Sequence, residues 1–405
     1  MRVLLIGSGG REHALAWKLS QSPRLTELHA APGNPGIARF GTCHPIRAED
    51  GESLLDLARS LPADLVVVGP EAPLVGGVAD QLRHGGVAVF GPGQEAARIE
   101  GSKTFAKDVM AAAGVPTAAV MSVARPPCVI KVDGLASGKG VFVCPDQASL
   151  DDALQAVGRS GQPLVIEELL EGEEVSLFAI ADGKNVVPLA PARDYKRVAD
   201  GDAGPNTGGM GSYSPVAELS AAESEHLVDV VHRPVLEELA NRGAQFVGLL
   251  YGGLMLTESG PKVLEFNCRF GDPETQSILP RIDCDLLEVL AAAATGDVTQ
   301  IALEILDDAA VTIVLAGAGY PEASDSGTPI AGVEEAEADA FVFHAGTAVR
   351  DGKLVTAGGR ILDVTAVAPT LEEARDAAYA AADRIRFEGM HYRGDIAART
   401  AGVAR

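Results

Sequence analysis

The chain has 405 residues, 47% of them hydrophobic and 22% charged, which is typical of a soluble globular protein with about two to four domains. Its 33 Lys and Arg against 56 Asp and Glu give a formal net charge of −23, which argues against general binding to nucleic acid or to anionic membranes. The 5 cysteines are scattered without a C-x-x-C pair, so neither a zinc site nor a disulfide framework is expected, and a reducing cytoplasm fits.

Residues 1–92 are predicted to form a parallel α/β unit, in which buried strands alternate with helices. A tight turn at Gly7–Gly10 enters the first helix and would offer free backbone N–H groups to an anion. A dinucleotide fingerprint would require glycine at position 12 and an acidic residue after the second strand, but the chain has Glu12 and Ala30–Asn34 there. NAD is therefore disfavoured, which leaves a phosphate or phosphosugar site or a plain tight turn.

Two polar residues occupy positions that favour ligand binding. Glu71 follows the predicted strand Leu65–Val68 at its carboxyl end, where it either meets an amine or sugar hydroxyl or acts as a helix N-terminal acid. Ser102 is the predicted N-cap of a helix that runs to Ala113. Lys103 then lies in a first turn, where the helix dipole disfavours a cation, which suggests an anionic partner and leaves a solvated surface lysine as the alternative.

A glycine-rich hairpin is predicted between the strands Cys128–Val132 and Val141–Cys144. Lys131 interrupts the first strand, so its ammonium group either reaches solvent or meets a negative charge. The connecting residues 133–140 differ from a Walker A loop in glycine spacing, in the residue after Lys139 and in the strand that follows. Small residues with a lysine at each end instead predict a flap over a triphosphate, and a hairpin without function is the weaker alternative.

An acidic run, Glu167–Glu174, follows the predicted buried strand Leu164–Ile166. Composition alone favours a solvated linker. A position directly after a buried strand would also suit a backbone edge that holds adenine, with a carboxylate for the ribose. The residues by themselves leave both interpretations open.

A basic group, Arg193–Arg197, precedes the glycine-rich stretch Gly204–Gly211. The backbone of such a stretch can approach a ligand closely. The neighbouring cations favour an anion pocket here over a flexible surface loop.

One predicted strand, Val263–Phe266, carries three residues typical of binding sites at its end. It would pair with Val247–Leu256, and alternation places Glu265, Asn267 and Arg269 on the same face. A carboxylate and an amide oxygen suit Mg²⁺, and an arginine can clamp an anionic oxygen. A site is therefore favoured over a half-exposed edge strand. From about residue 310 the pattern predicts further strands and an amphipathic helix, namely Val311–Ala316, Phe341–His344, Arg360–Val364 and Leu371–Ile385.

Taken together, these motifs resemble the ATP-grasp superfamily, and within it the glycinamide ribonucleotide synthetase (phosphoribosylamine–glycine ligase) family. The motifs that carry the closer resemblance occur in the same order from residue 1 to about 397 and are GSGGREHALAWKL (7–19), GPEAPL (69–74), EGSK (100–103), KVDGLASGKGV (131–141), EELLEGEEVS (167–176), GPNTGGMGSYSP (204–215), EFNCRFGDPETQ (265–276) and HAGT (344–347). GPNTGGMG and EFNCRFGDPETQ are highly specific to this family, whereas GSGG is not.

The resemblance implies an α/β ATP-grasp fold with an N-terminal doubly wound parallel α/β domain, a small flap subdomain and a C-terminal α+β domain. The expected limits are 1–100 for the N-terminal substrate-binding domain, 101–124 and 191–322 for the central ATP-grasp domain, 125–190 for the flap and 323–405 for the C-terminal domain.

The activity that the resemblance implies is the ATP-dependent ligation of glycine to phosphoribosylamine through glycyl phosphate. The products are glycinamide ribonucleotide, ADP and phosphate, in an early step of purine synthesis. The expected cofactors are ATP and Mg²⁺ or Mn²⁺. The expected protein is a cytoplasmic monomer or weak homodimer that acts on small molecules, without a nucleic-acid or membrane partner.

The resemblance also implies roles for individual residues. The expected catalytic residues are Lys131, Lys139 and Arg269, and the expected metal ligands are Glu265 and Asn267. The expected ATP-binding residues are Lys103, Lys131, Gly138, Lys139, Gly140, Glu167, Glu168, Leu170 and Glu174. The expected substrate-binding residues are Gly9, Gly10, Arg11, Glu71, Asp194, Lys196, Asn206, Thr207, Gly208, Gly209, Met210, Arg269, Asp272, Pro273 and Glu274.

Two departures from the family pattern matter. Tyr195 replaces a histidine in an RDHKR-type run, and it is given no acid–base role because tyrosine does not exchange a proton near neutral pH. The strand before the metal strand, at Tyr251–Met255, carries no acid, so a third protein ligand to the metal is doubtful. The alternatives are another ATP-grasp carboxylate–amine ligase, which should lack GPNTGGMG, or a silent nucleotide-binding regulator, which should have lost Lys131, Lys139 or Glu265.

Overall fold

The computed structural model describes residues 1–135, 140–158 and 161–398. The N-terminal part is a five-stranded sheet with the strands β1 (Arg2–Gly7), β2 (Glu27–Pro32), β3 (Thr42–Cys43), β4 (Leu65–Val68) and β5 (Val89–Phe90). The strands are arranged in the order β3-β2-β1-β4-β5 and pair in parallel. The helices of this part and the link to the next are α1 (Gly10–Leu19), α2 (Gly51–Ser60), α3 (Glu71–Val75), α4 (Val78–His84), α5 (Gln94–Gly101) and α6 (Lys103–Ala113). The predicted parallel α/β unit is confirmed.

The flap is a small three-stranded antiparallel sheet with one helix, in the order β7-β6-β8. Its elements are β6 (Cys128–Val132), β7 (Val141–Cys144), α7 (Gln147–Val157) and β8 (Leu164–Glu168). The predicted hairpin strands have the predicted bounds. Strand β8 includes Glu167 and Glu168, which pair with Val129 and Cys128, so the solvated-linker interpretation is wrong for these two acids.

The central part is built on a four-stranded antiparallel sheet in the order β10-β9-β15-β16. The elements of this part are β9 (Glu173–Asp182), β10 (Val186–Pro188), β11 (Arg193–Asp194), β12 (Arg197–Ala199), β13 (Ala203–Asn206), β14 (Gly211–Ser214), α8 (Ala221–Leu227), α9 (Arg233–Asn241), β15 (Val247–Thr257), β16 (Gly260–Asn267), α10 (Glu274–Ile278) and α11 (Leu286–Thr295). The predicted pairing of the Val263–Phe266 strand with the preceding one is confirmed.

The C-terminal part contains a five-stranded sheet, β11-β14-β17-β22-β19, and a three-stranded sheet, β18-β21-β20. Its elements are β17 (Ala309–Ala316), β18 (Asp325–Pro329), α12 (Val333–Ala336), β19 (Phe341–His344), β20 (Thr347–Arg350), β21 (Lys353–Gly358), β22 (Arg360–Ala368) and α13 (Leu371–Ala382). Strand β17 pairs with β14 on one side and with β22 on the other. The glycine-rich stretch before β14 is therefore anchored in the C-terminal sheet. None of the helices in the described ranges combines the length and apolar character of a membrane span.

His232 is buried beneath the central sheet, at the end of the π-helical turn Val228–His232 that joins α8 to α9. Its side chain is 0% exposed, and its ring meets Phe266 of β16 with a centroid separation of 5.9 Å. Gly252 leaves room for it, because a Cβ at that position would lie 3.1 Å from the imidazole. Burial lowers the pKa of His232 to about 4.

This burial predicts a loss of stability in mild acid. Below pH 6.5 the unfolded chain binds a proton at His232, whereas the folded protein does so only near pH 4. Between pH 7.5 and pH 5.0 this histidine should therefore cost roughly 2 kcal/mol of unfolding free energy. We expect His232→Leu to reduce the pH dependence of urea unfolding by about that amount. His226→Leu, which changes an exposed histidine of α8, is the control, and equal pH dependence in both variants would contradict the prediction.

Candidate active site

A cavity of about 890 Å³ lies where the N-terminal part, the flap and the central sheet meet, with Tyr320 and Arg360 of the C-terminal part at its wall. Most of the residues that the motifs singled out line it. These are Arg11, Glu71, Lys103, Lys131, Gly140, Glu167, Glu168, Leu170, Glu174, Asp194, Lys196, Asn206, Thr207, Gly208, Glu265, Asn267, Arg269, Asp272 and Glu274. Gly138 and Lys139 lie outside the described residues.

In the turn before α1, one of the two predicted glycines has an internal partner for its backbone N–H. Gly9 donates its N–H to the carboxylate of Glu12 at 2.6 Å. Gly10 packs closely against Asp363, because a Cβ at Gly10 would lie 1.9 Å from its Oδ2. Arg11 is the residue of this turn that lines the cavity. Binding of a phosphate at this turn stays a prediction.

Three further predicted substrate residues also lie behind the cavity wall, namely Gly209, Met210 and Pro273. Met210 is 0% exposed, and Gly209 packs against Pro273, since a Cβ on Gly209 would lie 2.4 Å from the proline ring. Thr207 stabilises the turn by accepting the N–H of Gly209 at 2.9 Å. The glycine-rich stretch therefore presents Asn206, Thr207 and Gly208 to the cavity and uses the rest to hold its shape.

The face of β16 that lines the cavity carries Glu265 and Asn267. Glu265 lies opposite Gly253 of β15, and Asn267 lies opposite Tyr251, so the glycine leaves space beside the carboxylate. Burial opposes ionisation of Glu265, but Lys196, Lys131, Lys103 and Arg269 together hold its pKa below the usual value. An ionised carboxylate and an amide oxygen form a hard donor pair that fits a divalent cation. No group of three or more His, Cys, Asp or Glu residues forms a metal site in the described ranges.

Arg269 lies between two carboxylates at the exit of β16. Its Nε is 3.3 Å from Oε2 of Glu71, and its Nη2 is 3.2 Å from Oε1 of Glu100. Burial opposes the charge on Arg269, but Glu100 and Glu71 outweigh burial and raise the pKa of Arg269 above its usual value. Glu71 also lies 4.0 Å from Nη1 of Arg11. Cations and carboxylates therefore alternate from the N-terminal part to the strand that carries Glu265.

Lys131 meets a negative charge, as one reading of its strand predicted. Its Nζ is 2.8 Å from Oε2 of Glu167 and donates to the carbonyl oxygen of Leu264 at 2.7 Å. The other oxygen of Glu167 is 2.8 Å from Nζ of Lys107. The sequence reading missed Lys107, although its position four residues after Lys103 places both lysines on one helix face.

Lys103 lies at the start of α6, where the flap covers the helix end. Ser102 caps the helix by accepting the N–H of Phe105, as predicted. Asp133 of the flap accepts the N–H of Lys103 at 2.6 Å, which satisfies the helix terminus that disfavours a cation. The Lys103 ammonium donates to the carbonyl oxygen of Gly134 at 2.9 Å and lines the cavity. Burial lowers the pKa of Lys103 from its usual value.

Lys196 lies among carboxylates on the central sheet. It pairs with Glu174 and lies 3.8 Å from Oε1 of Glu265. Burial opposes the charge on Lys196, but Glu174 and Asp194 raise its pKa well above the usual value. Burial raises the pKa of Asp194, while the ammonium group of Lys196 opposes that rise.

The sequence analysis missed two polar residues next to Glu274. Tyr251 lines the cavity, and Ser176 is fully buried beside it. The hydroxyl groups of Ser176 and Tyr251 are 3.0 Å apart, and the Ser176 hydroxyl donates to Oε1 of Glu274 at 3.4 Å. Alternation along β9 could have revealed Ser176, because it shares a face with Glu174. Burial raises the pKa of Glu274.

The C-terminal part contributes an arginine to the site. Arg360 at the start of β22 pairs with Asp272 at 2.8 Å and donates to the carbonyl oxygen of Gly208 at 2.6 Å. Burial opposes ionisation of Asp272, but Arg360 and Arg11 hold its pKa below the usual value. Tyr320 accepts the N–H of Gly208 at 3.0 Å. The sequence reading described the strand but not the role of its first residue.

Tyr195 borders the cavity, but its hydroxyl is used elsewhere. It accepts the N–H of Ala397 at 2.9 Å, and its ring lies 4.8 Å from the guanidinium carbon of Arg393. Burial raises the pKa of Tyr195. The residue thus packs into the C-terminal core, which agrees with giving it no acid–base role.

Comparison with known proteins identifies the family. Models of the phosphoribosylglycinamide synthetase N domain, ATP-grasp (A) domain and C domain match residues 1–100, 101–275 and 310–399. The phosphoribosylamine–glycine ligases of Rhizobium meliloti (strain 1021) and Streptomyces coelicolor (strain ATCC BAA-471 / A3(2) / M145) are each 50% identical to this chain. The matches cover 100% of this chain and 99% and 100% of those proteins.

Solved structures agree with this assignment. The crystal structure of phosphoribosylamine–glycine ligase from Thermotoga maritima superposes with a TM-score of 0.85 at 38% identity, covering 98% of this chain and 100% of that one. The biotin carboxylase domain of 2-oxoglutarate carboxylase from Hydrogenobacter thermophilus, at 16% identity and a TM-score of 0.70, shares the fold alone. It covers 96% of this chain and 91% of that one. The resemblance and the fold class read from the motifs are confirmed. The chain belongs to the phosphoribosylglycinamide synthetase family, the phosphoribosylamine–glycine ligases of purine biosynthesis, which have the ATP-grasp fold.

Proposed function

We propose that this ligase joins glycine to phosphoribosylamine through glycyl phosphate, in the cavity described above. The carboxylate of glycine attacks the γ-phosphate of ATP and releases ADP. The amine of phosphoribosylamine then attacks the acyl carbon and releases phosphate. The position of Arg269 supports this most strongly, because its guanidinium lies between the Glu265 strand and the Glu71–Arg11 pair. A cation there could steady the phosphoryl group as it passes from one substrate to the other.

On the ATP side, we propose that Lys103 and Lys131 contact the phosphates with Gly140. The backbone at Glu168–Leu170 would hold adenine, and Glu174 would bind the ribose. Burial of the two lysines at the cavity wall supports this, because a phosphate would replace their internal partners. Gly138 and Lys139 are given the same role from the motif alone. Closure of the flap would keep water from the acyl phosphate.

We propose that Glu265 and Asn267 hold a divalent cation, Mg²⁺ or Mn²⁺. When bound, such an ion neutralises phosphate charge and helps to orient the γ-phosphate. With two protein ligands it would take the others from ATP and water. The four cations that keep Glu265 ionised support the assignment, because they preserve its negative charge.

On the substrate side, we propose Arg11, Glu71 and Asp272 for phosphoribosylamine, together with the stretch Asn206–Gly208. Asp194, Lys196 and Glu274 would bind glycine beside the γ-phosphate. Gly9, Gly10, Gly209, Met210 and Pro273 would shape the loops behind these contacts. We also propose the domain limits inferred from the motifs, a cytoplasmic location and a monomer or weak homodimer. No nucleic-acid partner is proposed, and the acidic net charge supports this.

The proposal is tested by phosphate release from ATP and Mg²⁺, with glycine and freshly prepared phosphoribosylamine each present or omitted. We expect full release only with both substrates, and a product with the mass of their condensation. Turnover with another acid or amine, and none with this pair, would keep the ATP-grasp chemistry but overturn the substrate assignment. ATP binding without turnover of any pair would favour a silent regulator.

Lys107 supplies a prediction for ATP binding. In Lys107→Met, the carboxylate of Glu167 would pair with Lys131 but no longer with residue 107. It would therefore hold the ammonium group of Lys131 more tightly, and that group would be less available to a phosphate. We expect the KM for ATP to rise roughly tenfold, equivalent to about 1.4 kcal/mol, with a smaller change in kcat. Steady-state kinetics at saturating glycine and phosphoribosylamine measure this. Lys184→Met, which changes an exposed lysine, is the control, and an unchanged KM for ATP in Lys107→Met would contradict the prediction.

A further inference from the structure

Glu100 has no role in the proposed function, although it lines the cavity beside Arg269. It belongs to α5, and its side chain is 7% exposed. One carboxylate oxygen accepts the N–H of Cys268 at 2.8 Å. The other is 3.2 Å from Nη2 of Arg269. Glu100 therefore contacts two consecutive residues at the exit of β16.

These two contacts have different consequences. The bond from the Cys268 N–H fixes the carboxylate relative to the backbone of the strand exit. The contact with Arg269 then fixes the guanidinium relative to that same backbone. Holding an arginine side chain in one geometry costs conformational entropy, because its many rotamers are lost. Because Glu100 already fixes the guanidinium of Arg269 in the folded protein, that entropy is lost before the reaction begins.

Glu71, the second carboxylate beside Arg269, differs from Glu100 in exposure. The side chain of Glu71 is 28% exposed, and it is shared with Arg11. Both carboxylates line the cavity, but Glu71 is the more open to a substrate, whereas Glu100 is nearly buried. Removing a buried partner from a charge usually costs far more than removing an exposed one.

We propose that Glu100 is a positioning residue, which holds the guanidinium of Arg269 in place for phosphoryl transfer. The inference rests on the proposed function, since it gives Glu100 a purpose only if Arg269 acts on the phosphoryl group. It goes beyond that function because Glu100 acts through Arg269 and need not contact either substrate.

The test begins with Glu100→Gln. Glutamine keeps an oxygen that can accept the N–H of Cys268 but loses the charge that holds Arg269. We expect kcat to fall roughly 30- to 100-fold, with the KM values for ATP and glycine changed by less than about threefold. A wild-type kcat in Glu100→Gln would overturn the inference. The matched control is Glu95→Gln on the same helix, where the side chain is 71% exposed and pairs with Arg98; we expect no change in kcat.

A double-mutant cycle with Arg269→Lys separates positioning from general structural damage. If Glu100 acts through Arg269, adding Glu100→Gln to Arg269→Lys should change kcat by less than about twofold. A second loss as large as that in the wild-type background would overturn the inference and leave the role of Arg269 intact. A wild-type kcat in Arg269→Lys would overturn the proposed role of Arg269 and this inference with it. Should Glu100→Gln not fold, the same cycle is run with Glu100→Asp, which keeps the charge but shortens its reach.

Discussion

Arg269→Lys is expected to lower kcat roughly a thousandfold, one of the two largest effects on activity predicted for this chain. The guanidinium meets Glu71 through Nε and Glu100 through Nη2, so two of its nitrogen atoms are held by different carboxylates. A lysine ammonium is a compact charge and cannot maintain both contacts while also facing a phosphoryl group. The KM for ATP should change far less than kcat, because ATP is proposed to bind through other residues. Phosphate release with all substrates present measures both.

Arg98→Lys is the matched control for this variant. Arg98 lies on α5, pairs with Glu95 and is 48% exposed, so its replacement should leave kcat unchanged. Exchange of oxygen between the bridging and non-bridging positions of the β-phosphate of ATP, with glycine present and phosphoribosylamine absent, would follow the first step separately. Rapid exchange in Arg269→Lys would mean that Arg269 does not act on phosphoryl transfer to glycine.

Glu265→Gln should lower kcat/KM for metal–ATP by at least a thousandfold, because it removes the charge that attracts the cation. Lys196, Lys131, Lys103 and Arg269 all act on Glu265, so the neutral variant would leave a cluster of positive charge that repels a divalent ion. Weaker Mn²⁺ binding, followed by the electron paramagnetic resonance signal of the free ion, should accompany the loss. This readout does not depend on turnover.

The control for the metal prediction is Glu258→Gln. Glu258 is exposed in the turn between β15 and β16, so the same chemical change there should affect neither Mn²⁺ binding nor kcat/KM. Unchanged Mn²⁺ affinity in Glu265→Gln would remove this residue from the metal site, whatever the effect on turnover.

Sequence pattern predicted most of the larger elements, because buried strands form continuous apolar runs. The bounds of Leu65–Val68, Cys128–Val132 and Phe341–His344 agree with the structure to the residue. The short strands between 186 and 206 were not predicted. They have two to four residues each, which is too short to show a period, so their pairing with neighbouring strands determines them. The helical segment between Ala221 and Asn241 contains a π-helical turn, which no local pattern signals.

The site was predictable where motifs keep their functional groups close together in sequence, as on the strand of Glu265 and Asn267. It was not predictable where charge pairs join distant segments. Composition alone favoured a solvated linker for Glu167, because it cannot reveal that Lys107 and Lys131 pair with the two oxygens of its carboxylate. Arg360 was likewise missed, since its partner Asp272 is 88 residues away.

The turn before α1 contains a signal that the sequence analysis did not use. Its glycines correctly predicted a strand–turn–helix unit, and they also suggested free N–H groups for a phosphate, which stays a prediction. Glu12 lies in the first turn of the helix and folds back to accept the N–H of Gly9. A glutamate three residues after the N-cap of a helix is a recognised capping signal, so the sequence did indicate that Glu12 could accept a backbone N–H of this turn.

The pairing of β17 with β14 limits how this chain can be shortened or divided. A variant that stops before Ala309 would retain Gly211–Ser214 but lose the strand that pairs with it. Its backbone groups would then form an open edge next to the glycine-rich stretch, and such an edge invites association with other chains. For split-enzyme reporters or domain-exchange libraries, the C-terminal segment has to be supplied with the rest of the chain, because it completes the fold next to the glycine-rich stretch.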